Sequence, residues 1–237
     1  MFERSSLALV GLVGLLAMGC SEETTSSENI KTGGIAALID VYADTATKAT
    51  VHVELKVGGS DSNTYVGLNG GDQLLATAGD QMKVLTTTDR VGRYEAVFSD
   101  VAADTLFTVV LDRPRDTTAA DNSGTLPAPF DLDKPKDDQS RKDDDLEVTW
   151  APSGSDDDME FKFDGDCIFP YTKSPSDSGS FTVGKGTLDS TGGDKPEDCK
   201  LTLDAQRSRS GTADAAFDPE SYLRLHQRRS TSFTSAP

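Results

Sequence analysis

From Gly33 onward the chain alternates with a period of two. In TVHVELKV, Val51, Val53, Leu55 and Val57 fall on one side and His52, Glu54 and Lys56 on the other, as expected for a strand that buries one face. RYEAVF repeats the pattern, setting Tyr94, Ala96 and Phe98 against Arg93, Glu95 and Val97. TLFTVVLDR is apolar almost throughout and reads as a central strand. With IAALIDVY, NTYVGL, QLLAT and QMKVLT, about seven short strands lie between Ile35 and Arg113, separated by Gly and Asp turn clusters. Strands spaced about ten residues apart predict a β-sandwich over residues 33–113.

Residues 114–125 are polar and turn-rich and read as a linker. LPAPFDL then predicts an edge strand, because proline lacks a ladder donor. After the charged loop DKPKDDQSRKDDD, LEVTWAP alternates Leu146, Val148 and Trp150, and this sole tryptophan is expected to anchor a second core. MEFKFD, CIFPY, GSFTVGKGTL, CKLTLDAQRS, YLRLHQRRS and SFTS supply further strands, giving a second sandwich over 126–237. The fold class is therefore all-β, with two tandem antiparallel sandwich modules. DDLEVTWAPSGSDD resembles the strand-Trp-Pro opening of immunoglobulin-like and fibronectin-type-III-like domains. An immunoglobulin domain proper carries a cysteine on each side of its tryptophan, whereas both later cysteines here follow Trp150.

The amino terminus follows a different pattern. Leu7 to Gly19 is an apolar run of thirteen residues. That is short of the roughly 20 needed to span a bilayer as a helix, and it reads as the hydrophobic region of a signal peptide, residues 1–19. The run ends in LLAMGC, which resembles the lipobox of bacterial lipoproteins, although Ala17 stands where Leu is preferred. The resemblance implies cleavage before Cys20, acylation of that residue and retention on a membrane by lipid chains, two or more of which hold stably. It also implies a cell-envelope location. Ser21 and Glu22 follow Cys20 in place of the aspartate that retains such proteins at the inner membrane, so the outer membrane is expected, with the periplasmic or surface face left open. Residues 20–32 hold one aliphatic side chain, Ile30, and are expected to be a flexible tether.

If Cys20 is acylated, Cys167 and Cys199 remain as a pair in an exported chain, and a disulfide between them is expected. The competing metal or redox reading has no CxxC and no histidine within ten residues of either cysteine to support it.

Charge and chemistry narrow the function classes. Of 237 residues, 40 are acidic and 23 basic, a net charge of -17. Such a chain repels phosphate backbones, so nucleic acid is not an expected partner. No HExxH, GxSxG, phosphate loop or kinase signature is present. His52 and His226 read as solvated strand residues, and no spacing positions a Ser-His-Asp set around either. Asp156, Asp157, Asp158, Asp164 and Asp166 offer enough oxygens for a calcium site, against the reading that they form a solvated acidic loop. Arg207, Arg209, Arg224, Arg228 and Arg229 form a candidate positive strip, against the reading that each pairs with a carboxylate across the sheet. Together these features predict a lipid-anchored envelope protein with a structural, adhesive or partner-binding role, no cofactor and no enzymatic activity. The alternatives are a calcium-dependent surface binder and an accessory component or enzyme with its site between the modules.

Overall fold

The computed structural model describes residues 22–192 and 197–237. The signal segment and Cys20 lie outside the described residues. The strands in chain order are β1 (Glu23–Ser26), β2 (Ile35–Thr45), β3 (Lys48–Val57), β4 (Thr64–Gly67), β5 (Gln73–Ala78), β6 (Gln81–Val84), β7 (Thr86–Thr87), β8 (Arg93–Ser99), β9 (Leu106–Asp112) and β10 (Ala119–Thr125). They continue with β11 (Asp131–Leu132), β12 (Gln139–Ser140), β13 (Leu146–Ala151), β14 (Asp158–Asp164), β15 (Tyr171–Lys173), β16 (Ser180–Val183), β17 (Cys199–Ser210) and β18 (Tyr222–Ala236).

The protein is all-β, and a single eleven-stranded sheet carries both sandwiches. Its spine runs β1-β4-β3-β2-β18-β17-β14-β15, with β8 also paired to β3. Two smaller sheets close the cores. The sheet β10-β9-β5-β6 covers the first core, and β11-β13-β16 covers the second. The alternation explains the first core directly: Val51, Val53 and Leu55 of β3 pack with Ile35, Ala37, Ile39 and Val41 of β2, facing Leu74, Ala76, Phe107, Val109 and Leu111. The second core is aromatic, with Trp150, Phe161, Phe163, Phe130 and Phe233 around Leu201 and Leu203. Trp150 lies 4.7 Å from Phe161 between ring centroids, which accords with its expected anchoring role.

The fusion of the two halves rests on the hairpin of β17 and β18. They pair antiparallel from Cys199↔Ser235 to Ser210↔Arg224. The first half of β18 also pairs in parallel with β2, from Tyr222↔Leu38 to Gln227↔Ala43. YLRLHQRRS and SFTS are therefore one continuous strand. Its start, Leu223 and Leu225, belongs to the first core together with Phe217 from the hairpin loop, while Phe233 belongs to the second. Residues 126–237 thus contribute to both cores.

Two further segments differ from expectation. Residues 22–32 are ordered: β1 pairs in parallel with β4, Ser27 and Thr32 are buried, and no free tether remains within them. The cause is Arg113, whose guanidinium donates to the Ser27 and Ile30 carbonyls and to Thr32 Oγ1, and which pairs with Asp72 at 2.9 Å. The stretch 114–125 contains β10, paired antiparallel with β9. Its polar sequence hides a strand because the backbone makes the ladder while the buried Asn122 side chain donates to the Val109 and Ala119 carbonyls. The crossing between sandwiches is instead 126–130: Leu126 lies in the first core and Phe130 in the second. Just before this crossing, β10 and the turn after β17 approach closely enough to require glycine. A Cβ on Gly211 would stand 2.6 Å from the Ser123 carbonyl oxygen.

Cys167 and Cys199 form a disulfide with a Cα separation of 6.0 Å. It ties the loop after β14 to the start of β17, at the end of the second core.

Candidate functional site

Consecutive residues of β17 point to opposite faces of the shared sheet, so the junction has two distinct sides. On the inner side Arg207 is 1% exposed and its carboxylate partner Asp177 is 6% exposed. Arg207 donates to Asp177 at 3.1 Å, to the Ala128 carbonyl at 2.9 Å and to the Pro152 carbonyl at 2.7 Å, and it lies over the Phe130 ring. Its Nε is the one buried side-chain polar atom without a partner among the described residues. Asp177 also accepts from Trp150 Nε1 at 2.6 Å and from both the backbone and hydroxyl of Ser155. Burial alone pushes this carboxyl up, but the hydrogen bonds from Ser155 and Trp150 and the Arg207 charge hold it below the usual carboxylate range. Beside it, Gln227 donates to the Pro127 carbonyl. Apart from Arg207 Nε, these side chains of the junction are bound to one another or to the Ala128, Pro152 and Pro127 carbonyls.

The outer side is open. The strand neighbour of Arg207, Ser208, lies opposite His226 of β18. Ser208 Oγ is 2.9 Å from His226 Nδ1, and His226 Nε2 is 3.1 Å from Asp40 Oδ1. Because a carboxylate only accepts, Nε2 carries a proton, and in the neutral imidazole Nδ1 then accepts from the Ser208 hydroxyl. Tyr222 donates its phenol proton to Asp40 Oδ2 at 3.2 Å. Burial, followed by the Asp40 charge, pushes that phenol up to about 12. His226 is 5% exposed and stacks on Tyr42, whose phenol burial also raises, and the Arg228 guanidinium lies 4.0 Å from the centre of the Tyr42 ring. Ser208 and His226 border an open depression of about 610 Å³ whose rim includes Asp156, Asp158, Glu160 and Arg224.

This arrangement corrects the expectation that His226 is solvated. His52 alone fits it, half exposed and 3.7 Å from Glu95. Asp40 and His226 are 186 positions apart, a separation that hid the pairing. The available signal was Asp40 itself, a charge inside the apolar run IAALIDVY.

The carboxylates considered for calcium are dispersed. Asp157 is gripped by Arg209 Nε and NH2 at 2.7 and 3.0 Å, and Asp164 pairs with Lys162 at 3.0 Å. Among the described residues no group of three or more His, Cys, Asp or Glu side chains gathers as a metal site. The arginines do not form a strip either. Arg207 is buried, Arg209 reaches Asp157 and Asp104, Arg228 pairs with Asp44, and Arg229 donates to the Ala43 carbonyl. Arg224 makes no ion pair among the described residues and lies over the Tyr222 ring at 3.9 Å.

No protein-family model matches the chain, and no curated protein matches it in sequence. Among solved structures it is similar to the adhesin InvE of Yersinia pseudotuberculosis, at 12% identity and a TM-score of 0.24, covering 85% of this chain and 58% of the adhesin. It is also similar to a two-domain fibronectin type-III segment of chicken tenascin, at 9% identity and a TM-score of 0.27, covering 86% and 99%. A DUF3823 family protein from Parabacteroides merdae matches at 9% and 0.24, covering 83% and 99%. These likenesses are too slight to bear on what this chain does; its sandwich architecture is read from its own sheets.

Proposed function

We propose that the chain is a lipid-anchored cell-envelope protein whose fused two-sandwich body serves as a structural, adhesive or partner-binding element. The observation that supports a binding role over an enzyme between the modules is the filled junction. Arg207, Trp150 and Ser155 are all bound to Asp177 there, and one continuous sheet runs across both sandwiches. Exposed mixed charge on the outer face supplies the surface for a partner.

The anchoring part rests on LLAMGC. If Cys20 is acylated, its distance from the ordered body is set by chain reach. Strand β1 begins at Glu23, so three residues bridge at most about 10 Å. The body then sits against the headgroups without a spacer.

Mass spectrometry of the amino-terminal peptide from the membrane fraction tests the anchor. An acylated Cys20 as the first residue is expected, and a mature chain that begins elsewhere and carries a free Cys20 thiol overturns it. Crosslinking in intact cells then tests the binding role, with a protein captured through the outer sheet face as the expected result and no specific adduct as the contrary one.

A further inference from the structure

Ser208, His226 and Asp40 form a hydrogen-bonded relay that the binding role does not require. We infer that Ser208 is an activated nucleophile that reacts with carboxylic esters reaching the outer depression.

Ser208 Oγ donates to Nδ1, and Nε2 donates to Asp40, over 2.9 and 3.1 Å. A serine hydroxyl is a weak nucleophile until a base takes its proton, and a base acts best when a third group orients it and stabilises its charged form. Asp40 is that third group, held from its other oxygen by Tyr222. Stacking on Tyr42 fixes the imidazole plane, with 18° between the rings. Gln206 Nε2 donates to Ser208 Oγ at 3.1 Å, which fixes the hydroxyl oxygen so that its proton points at the imidazole. The base is buried while the hydroxyl borders solvent, in a depression large enough for a small ester.

The surroundings select the substrate class. Ser208 is paired within the sheet, between Asp158 of β14 and His226 of β18, so its own main chain is engaged in the ladder and not at a turn that would free successive N–H groups for an oxyanion. Of the two arginines on the rim, Arg209 is paired with Asp157 and Asp104, which leaves Arg224. With this modest stabilisation an ester, whose alcohol leaves readily, fits and an amide does not. In the step, Ser208 Oγ bonds to the acyl carbon as its proton passes to Nδ1. The carbon–oxygen bond to the alcohol then breaks, and the alkoxide takes that proton. An acyl ester of Ser208 is left, which water from the open depression can cleave by the same route.

A fluorophosphonate probe reports the first half of this chemistry: the Ser208 oxygen bonds to phosphorus, fluoride leaves and His226 receives the proton. Incubation of the full chain followed by peptide mapping should place the label on Ser208. Ser208→Ala should remove it, and His226→Gln should slow labelling about 100-fold or more, the scale of a lost general base. Asp40→Asn should slow it too, with the melting temperature read in parallel. If His226→Gln does not fold, the Asp40→Asn rate decides. An unlabelled Ser208 in the folded wild-type chain, or a rate unchanged in whichever variant folds, overturns the inference. The crosslinking result above is independent of either outcome.

Discussion

Arg207 and Ser208 are adjacent in β17, yet they meet opposite environments. Arg207 enters a sealed junction where every partner is another part of the fold. Ser208 enters an open depression where its partner is an oriented imidazole. The difference shows how one sheet separates two surroundings. The inner face joins the sandwiches, and the outer face stays open to solvent.

The largest expected effect lies on the inner face. Arg207→Met leaves Asp177 buried without its cation and should destabilise the fold by about 3–5 kcal/mol in urea denaturation. A loss below about 1 kcal/mol would remove the structural meaning of the inner face. Next in size is the disulfide. Replacing both Cys167 and Cys199 by serine frees a loop with a sequence separation of 32 and should cost roughly 3–4 kcal/mol in the chain-entropy model.

Lowering the pH probes the inner face again. Asp177 has a lowered folded-state pKa, so the stability it contributes is fully present above the unfolded carboxylate value of about 3.9 and is lost as pH falls below it toward the folded value. Asp177→Asn should flatten that acid limb of the melting curve, whereas a limb of the same slope would mean that another group sets it. The smallest effect is expected on the outer face. Ser208→Ala should change stability by no more than about 1 kcal/mol, and a larger loss would make the relay a structural brace.

Most of the strand content was legible because a half-buried strand writes its pleat into the sequence. Val51, Val53 and Leu55 face the core as their spacing demands, as do Tyr94, Ala96 and Phe98. Trp150 sits in its core, and Cys167 meets Cys199. What was not legible is non-local. Leu223 and Leu225 look like members of a second-module strand, and only their parallel register with Ile39 and Val41 puts them in the first core. Strand β10 lacks alternation because Asn122 does there what an apolar side chain does elsewhere. The ordering of residues 22–32 depends on Arg113, which is more than eighty positions away from its Ser27 and Ile30 acceptors. The Ser208 relay escaped for the same reason: Asp40 and His226 are neighbours only because β18 returns to lie beside β2.

The shared sheet should make the two sandwiches one cooperative body. Leu55→Ala tests it with a change confined to the first core, where Leu55 is fully buried, and a readout from the second core, the fluorescence of Trp150 during urea unfolding. A single transition is expected, its midpoint lowered by the equivalent of about 2–5 kcal/mol. A Trp150 transition left at its wild-type midpoint while the first sandwich unfolds separately would contradict it.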